Sequence, residues 1–241
     1  MVTLEQLEAA GWDSKIKVIP NRSTISIEGW DKTGKTHLAL TSPAPIYYID
    51  IDEGTTGVIE KFQRDKEVFR YELPKQSKLG TPDELMVRFS EMWKDIQTQI
   101  NLALQMESGT LVIDTGTELY DICRLAQFGR VSQVQPHMYQ KANAEMDEIF
   151  RCANQSRLNV VLLHQLDTDF NTGEVEGKGW KKTNYKVQTT IRTNRTKGEG
   201  GPIFGAEITS CRFNKDWMGM PLTEEAGLLN LSMLLPAMHN V

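Results

Sequence analysis

Cysteine is scarce in this chain: Cys123, Cys152 and Cys211 are odd in number and far apart. Such a set builds neither a disulfide framework nor a zinc site, and it points to a reducing, cytoplasmic setting. No apolar run approaches the ~20 residues that cross a bilayer, so no membrane contact is expected. Positive charge is not in excess, since 32 acids outnumber 27 lysines and arginines for a formal charge of −5. Any nucleic-acid contact must then come from a local patch. The four histidines lack companions at metal-ligand spacing, and no Ser-His-Asp or Cys-His arrangement can be drawn. Repeats and low-complexity segments are missing as well. The opening "MVTLEQLEAAGW" is no signal peptide. It reads as an acidic amphipathic helix, with Thr3 and Gln6 as a capping box and Gly11 as its stop.

What is present begins with "SIEGWDKTGKTHL", residues 26–38. Gly29, Gly34, Lys35 and Thr36 follow the order G-x-x-x-x-G-K-[ST]. In that pattern backbone N–H groups cradle phosphates, the lysine reaches the β/γ oxygens and the hydroxyl holds Mg²⁺. The expected nucleotide contacts are Gly29, Trp30, Asp31, Lys32, Thr33, Gly34, Lys35, Thr36 and His37. Flanking sequence supplies the context the motif needs: "RSTISIEG" alternates like a strand and "KTHLALTS" opens like a helix. An ordinary glycine turn is the plainer alternative.

Further along, "PIYYIDID" (45–52) is a buried strand ending in acids. A long helix spans 81–106, with Thr81 as cap, Pro82 in the first helical position and Glu84 closing the box. "GTLVIDTGTELYDICRLAQ" (109–127) is a strand breaking at Asp114 into a helix. A second long helix (135–157) leads to the strand "LNVVLLHQ" (158–165). Strands alternating with helices predict an α/β fold with a mainly parallel, doubly wound sheet. "YKVQTTIRTNRT" and "IFGAEITSCRFNK" read as its antiparallel C-terminal extension.

Within this frame Asp114 is the expected partner of Thr36 at Mg²⁺; its alternative is a helix cap. Orientation of the attacking water falls to Asp52 or Glu53, with Asp50 pointing the same way as Asp52 if the strand continues. Solvated strand caps are the alternative there. Gln165, beside His164 at a strand terminus, is placed to sense the γ-phosphate, or else is a satisfied polar end. Residues 178–198 hold Lys178, Lys181, Lys182, Lys186, Arg192, Arg195 and Lys197 with no acid among them. Trp180 and Tyr185 lie interleaved with these cations, the ingredients of single-strand binding. A solvated basic face, with Trp180 packed on the body, is the plainer reading.

With these pieces in place the chain resembles RecA-fold P-loop ATPases, and in particular the small phage RecA-like proteins of single-strand annealing and recombination. The likeness rests on "EGWDKTGKTHLAL", "IYYIDIDEG", "LVIDTGTELY", "VVLLHQ" and "AEITSCRFNK", spanning about residues 20–215. It implies a RecA-like core over 20–215, preceded by a helical extension (1–19) and followed by a tail (216–241). Within the core, 166–184 would be the DNA-binding loop, with Lys178, Trp180, Lys181, Lys182, Tyr185 and Lys186 as contacts. An Ile-Asp-x-acid pattern selects Asp52 as the catalytic carboxylate, with Glu53 beside it. Arg212 and Lys215 would reach a neighbouring subunit's nucleotide. The implied function is ATP- and Mg²⁺-dependent, DNA-stimulated hydrolysis in a homo-oligomer, ring or filament, inside a phage-infected cytoplasm. Single-stranded DNA and a single-strand-binding protein are the implied partners. No polymerisation segment or DNA-gathering domain is evident, so strand exchange is less secure than ATP binding. A ring helicase or DNA motor, a nucleotide-gated binding module with little turnover, and a small-molecule kinase are the other readings. In the tail, Leu228, Leu229, Leu231, Met233, Leu234 and Leu235 are expected to pack on the core, with a subunit contact as the alternative.

Overall fold

A computed structural model describes residues 3–12, 22–52, 54–132, 134–168, 172–223 and 229–239. Its strands are β1 (Thr24–Gly29), β2 (Ile46–Asp50), β3 (Val68–Glu72), β4 (Thr110–Asp114), β5 (Asn159–Thr168), β6 (Val175–Gly177), β7 (Thr189–Gly198), β8 (Gly201–Cys211) and β9 (Pro221–Leu222). The helices are α1 (Leu4–Ala9), α2 (Lys35–Leu40), α3 (Ile59–Phe62), α4 (Pro82–Leu104), α5 (Gly116–Phe128), α6 (Tyr139–Gln155), α7 (Thr183–Lys186) and α8 (Leu231–His239). Among the described residues no helix is long and apolar enough to cross a membrane.

Strand order in the sheet is β3-β2-β4-β5-β1-β7-β8-β9, with β6 paired to β5 alone. From β3 through β7 every neighbour runs parallel; β8 and β9 run antiparallel. The expected α/β class is therefore present, with one correction to its extension. The segment 189–198 does not begin an antiparallel add-on: it lies parallel to β1, and only the hairpin turn at its end reverses the chain. Another strand, β3, went unread in the sequence. As a short edge strand with one buried residue it carries no alternating apolar signal.

The pleat sends alternate residues to opposite faces. Leu111, Ile113, Val160 and Leu162 meet α4, α5 and α6 on one side. Ile25, Ile27, Val112, Val161 and Leu163 meet α2, α3 and α8 on the other. α4 forms because Thr81 accepts from the Glu84 amide while Glu84 accepts from the Thr81 amide at 2.8 Å, with Pro82 needing no donor. It buries Leu85, Phe89, Trp93, Ile96 and Ile100, each burial contributing roughly 1.5–3 kcal/mol. The N-terminal capping box is also formed: Thr3 and Gln6 exchange bonds of 3.1 and 3.3 Å.

The tail packs on the core in part, and Met233 departs from the expectation. Leu231, Leu234, Leu235 and Met238 are buried in the α2-side core, whereas Met233 is exposed; Leu228 lies outside the described residues. α8 is tied to the end of α2, since the Leu231 amide donates to Thr41 Oγ1 at 2.9 Å and Ser232 Oγ donates to the Thr41 carbonyl at 2.6 Å. Lys66 Nζ donates to the carbonyls of Leu40, Thr41 and Ser42. The last carbonyls of α2 are thereby satisfied, which holds the short helix firmly behind the glycine loop.

Candidate nucleotide-binding site

The loop from Gly29 to Lys35 leaves the sheet between β5 and β7. Glycine is required at its first position. A Cβ on Gly29 would lie 2.1 Å from Thr193 Oγ1 and 2.5 Å from Thr33 Oγ1. Those two hydroxyls bond each other at 2.7 Å, and Thr33 Oγ1 also donates to the Trp30 carbonyl at 2.8 Å. Thr193, on β7, thus clamps the loop from the side. At the far end Gly34 has φ 92°, a left-handed conformation that a side chain disfavours. The turn leads directly into the first amides of α2, which have no partner within the helix. With six residues, α2 acts mainly through these first-turn amides rather than a summed dipole.

Lys35 Nζ donates to the carbonyls of Gly29 at 2.9 Å and Trp30 at 2.8 Å. Burial lowers its pKa, opposed by Asp114, Asp31 and Asp52. Three carboxylates therefore face this one cation. Thr36 Oγ1 donates to Asp114 Oδ2 at 3.0 Å, and the Tyr48 hydroxyl donates to the same oxygen. Asp114 is 6% exposed, and burial raises its pKa although both hydroxyls pull it back. Burial and the Asp114 charge in turn push the Tyr48 hydroxyl far above its ordinary value.

Both hydroxyls meet the same Asp114 oxygen, Oδ2, so the other carboxylate oxygen is left to a cation. Thr36 and Asp114 offer the hard oxygen pair that Mg²⁺ takes when phosphates and water complete its shell. The residues present fit that ion. Among the described residues no group of three metal-binding side chains occurs.

The second-strand acids separate. β2 stops at Asp50, so Asp50 and Asp52 do not share a pleat face as the continued strand would require. Asp50 is fully buried, gripped by Arg70 at 2.6 and 3.1 Å and by Thr55. It is a structural anchor between β2 and β3. Asp52 is exposed, yet its carboxyl is pushed up by partial burial and by Glu118, and it contributes to the fields at Lys35 and Asp114. Glu53 lies outside the described residues.

Gln165 stands opposite Gly29 in the parallel ladder. It does not end its strand, as the sequence suggested: β5 continues to Thr168 and turns there to pair with β6. The Gln165 amide donates to Thr117 Oγ1 at 3.1 Å, while its carbonyl accepts from the Lys178 amide at 2.6 Å. Thr117 Oγ1 donates on to the Lys178 carbonyl at 2.8 Å. The start of the basic stretch is thereby bolted to the first turn of α5, directly after Asp114. His164 plays no part in this. Its Nδ1 meets Ser26 Oγ at 3.0 Å, and burial pulls its pKa down to about 4.

Trp180 is a correction to the expected DNA contacts. It is 3% exposed, stacks on Phe150 at 5.4 Å, and donates from Nε1 to Asn143 Oδ1 at 2.9 Å. Buried in this way, it offers no face to a base. Tyr185, 77% exposed, does. The cations also have acidic neighbours from elsewhere in the chain: Lys181 meets Glu176 at 3.4 Å, and Lys182 and Lys186 meet Asp147 at 3.9 and 2.5 Å. Lys178 lies 3.9 Å from Asp167. Arg212 donates to the Tyr185 carbonyl of its own chain. Arg212 and Lys215 follow Cys211, which pairs with Thr189 at the sheet end opposite the glycine loop; both are exposed.

Sequence reasoning missed Tyr48, Thr193 and Arg70. The tyrosine pair in an otherwise aliphatic β2 was the available signal. Thr193 left none, because its role depends on β7 lying beside β1.

A family model described as an AAA domain matches residues 21–196. Comparison with curated proteins gives no match. Among solved structures, a KaiC-like protein from the hyperthermophilic archaeon Pyrococcus horikoshii OT3 is similar at 11% identity and a TM-score of 0.46, over 83% of this chain and 84% of that one. The RadB recombinase is similar at 14% identity and a TM-score of 0.45, over 84% and 86% of the two chains.

Proposed function

Because a chain matched from residue 21 to 196 by the AAA-domain model belongs to that family, we propose that it is a RecA-like, ATP- and Mg²⁺-dependent ATPase that binds single-stranded DNA and promotes strand annealing or recombination. The observation that carries the reading is the convergence of the Gly29–Thr36 loop, Lys35 and the Thr36–Asp114–Tyr48 chain on one point. Loop amides and Lys35 hold the β- and γ-phosphates and take up the charge that develops on them during transfer. Thr36 and Asp114 would hold Mg²⁺, which would supply positive charge to the phosphates during transfer. Tyr48 favours the charged form of Asp114 against its burial and aims it. Asp52, or Glu53 beside it, orients the attacking water; the raised pKa of Asp52 suits an acid that accepts a proton. Lys35 releases the Gly29 and Trp30 carbonyls to meet the phosphates.

The Gln165–Thr117–Lys178 bonds support a link between γ-phosphate and the DNA-binding stretch, since loss of phosphate at Gln165 is felt one bond away at Lys178. DNA engages Lys178, Lys181, Lys182 and Lys186 by exchanging their intramolecular acids for phosphates, and Tyr185 by stacking. Subunit contacts that would bring Arg212 and Lys215 to a neighbour's nucleotide belong to the same proposal.

Phosphate release is measured with and without single-stranded DNA, on wild type and Lys35→Ala. DNA should raise the rate, and the variant should have none. Turnover surviving in Lys35→Ala, or a rate indifferent to DNA, would overturn the proposal. Tight ATP binding without turnover would favour a nucleotide-gated module, a reading that the exposed, short side chain of Asp52 keeps specific.

A further inference from the structure

A cleft of about 270 Å³ opens beside the glycine loop, between α2 and the β7–β8 hairpin. Its walls include Gly34, His37, Phe62, Thr193, Phe204 and Leu229. Strand order says which end of a nucleotide it faces. Asp114 lies on β4, two strands from β1 on one side, while β7 and β8 flank β1 on the other. A triphosphate whose γ end meets Thr36 and Asp114 therefore extends its nucleoside away from β4, toward this cleft.

The walls are apolar rings and committed hydroxyls. Thr33 Oγ1 is engaged by Trp30 and Thr193, and Thr193 Oγ1 also meets the Glu28 carbonyl at 3.2 Å. Thr41 Oγ1 donates to the Leu38 carbonyl and accepts from the Leu231 amide. Phe204 approaches Gly34 so closely that a Cβ there would sit 3.4 Å from its ring, and it lines the cleft while remaining 40% exposed. His37 meets Phe62 edge to face at 6.0 Å. An imidazole nitrogen donates or accepts according to its tautomer, so His37 can serve the amino group of adenine or the carbonyl of guanine at the same ring position.

We propose that this cleft receives the nucleobase, that Phe204 stacks on it, and that the site accepts adenine and guanine triphosphates with little discrimination. The proposal rests on the ATPase reading above and adds its base specificity. Strong rejection of a wrong base needs buried polar groups that are left unpaired when it binds. These walls hold few such groups, and stacking is tolerant of base identity because every base has a π-face.

The test is calorimetric titration of the whole chain with Mg²⁺ and ATP, GTP or inorganic tripolyphosphate, using wild type, Phe204→Ala and Phe204→Tyr. ATP and GTP should bind within about tenfold of each other and both more tightly than tripolyphosphate. Phe204→Ala should weaken both nucleotides about tenfold, or about 1.4 kcal/mol, and leave tripolyphosphate unchanged; Phe204→Tyr should retain wild-type affinity. A preference for ATP over GTP beyond a hundredfold would overturn the tolerance. Tripolyphosphate binding as tightly as ATP, or Phe204→Ala and Phe204→Tyr weakening all three ligands alike, would overturn the base pocket while leaving the ATPase reading standing. Wild-type protein that binds none of the three would refute that reading, and this inference with it.

Discussion

Tyr48→Phe isolates a single hydrogen bond at the centre of the proposed site. Tyr48 is 1% exposed, and its hydroxyl donates to Asp114 Oδ2. The ring stays in the variant, so the cavity left is no larger than one oxygen. The loss is then that of a bond to a charged acceptor, about 1.5–3 kcal/mol. For a chain of this size that corresponds to a fall in Tm of roughly 3–12 °C. The effect carries a pH signature. Burial holds the pKa of Asp114 above its ordinary value, and Tyr48 opposes the rise. An acid with a raised folded pKa contributes stability at pH values below its unfolded pKa, and loses that contribution as pH climbs through the folded one. Removing Tyr48 raises the folded pKa further, so the variant suffers most where Asp114 is ionised. Once Asp114 is protonated the lost bond is a neutral one, costing only about 0.5–1.5 kcal/mol. Urea unfolding without Mg²⁺, followed from alkaline to acid pH, reads both values. A loss that stays constant along that range, or grows toward acid, would refute the account of Asp114 as a strained buried anion.

Three further outcomes follow from the same geometry. Trp180→Ala should cost about 3–5 kcal/mol in urea unfolding, as core Trp truncations do. Tyr185→Ala should instead leave stability within about 0.5 kcal/mol and weaken single-stranded DNA by about 1–3 kcal/mol in a fluorescence titration. The reverse pattern would restore Trp180 as the DNA contact. Gly29→Ala drives its Cβ into Thr193 and Thr33, so it should lose roughly 1–3 kcal/mol and abolish ATP binding by calorimetry. Wild-type affinity in that variant would show that the loop does not need β7. Because the folded pKa of His164 is depressed to about 4, its contribution is whole above the unfolded value near 6.5 and drains away as pH falls toward 4. His164→Gln should flatten that limb of the urea midpoint against pH, a loss of at most about 3 kcal/mol. An unchanged limb would assign acid lability elsewhere.

Much of the frame was legible because the signals are local. A capping box at Thr81 and Glu84, a proline at position 82 and a stripe from Leu85 to Ile100 are contained within one helix. The motif from Gly29 to Thr36 is likewise written in consecutive residues, and Asp114 is marked by the abrupt end of an apolar strand. These features depend on contacts across a few residues, and chain order encodes them directly.

Other assignments depend on what lies across the sheet, and there chain order is silent or misleading. Lys182 and Lys186 have no acid near them in sequence, yet Asp147 reaches both from α6. Trp180 sits among cations in the chain, and among Phe150 and Asn143 in space. Asp50 and Asp52 read alike until the end of β2 and the reach of Arg70 make one a buried anchor and leave the other exposed. The sequence by itself determined the α/β alternation, the phosphate loop and its acid partner, since each is written in a short span. Only the tertiary structure decided which charges are already neutralised, that Tyr48 meets Asp114 and Thr193 meets the loop, and where the cleft beside the loop opens. Those properties belong to pairs of residues brought together from distant strands, so no single segment carries them.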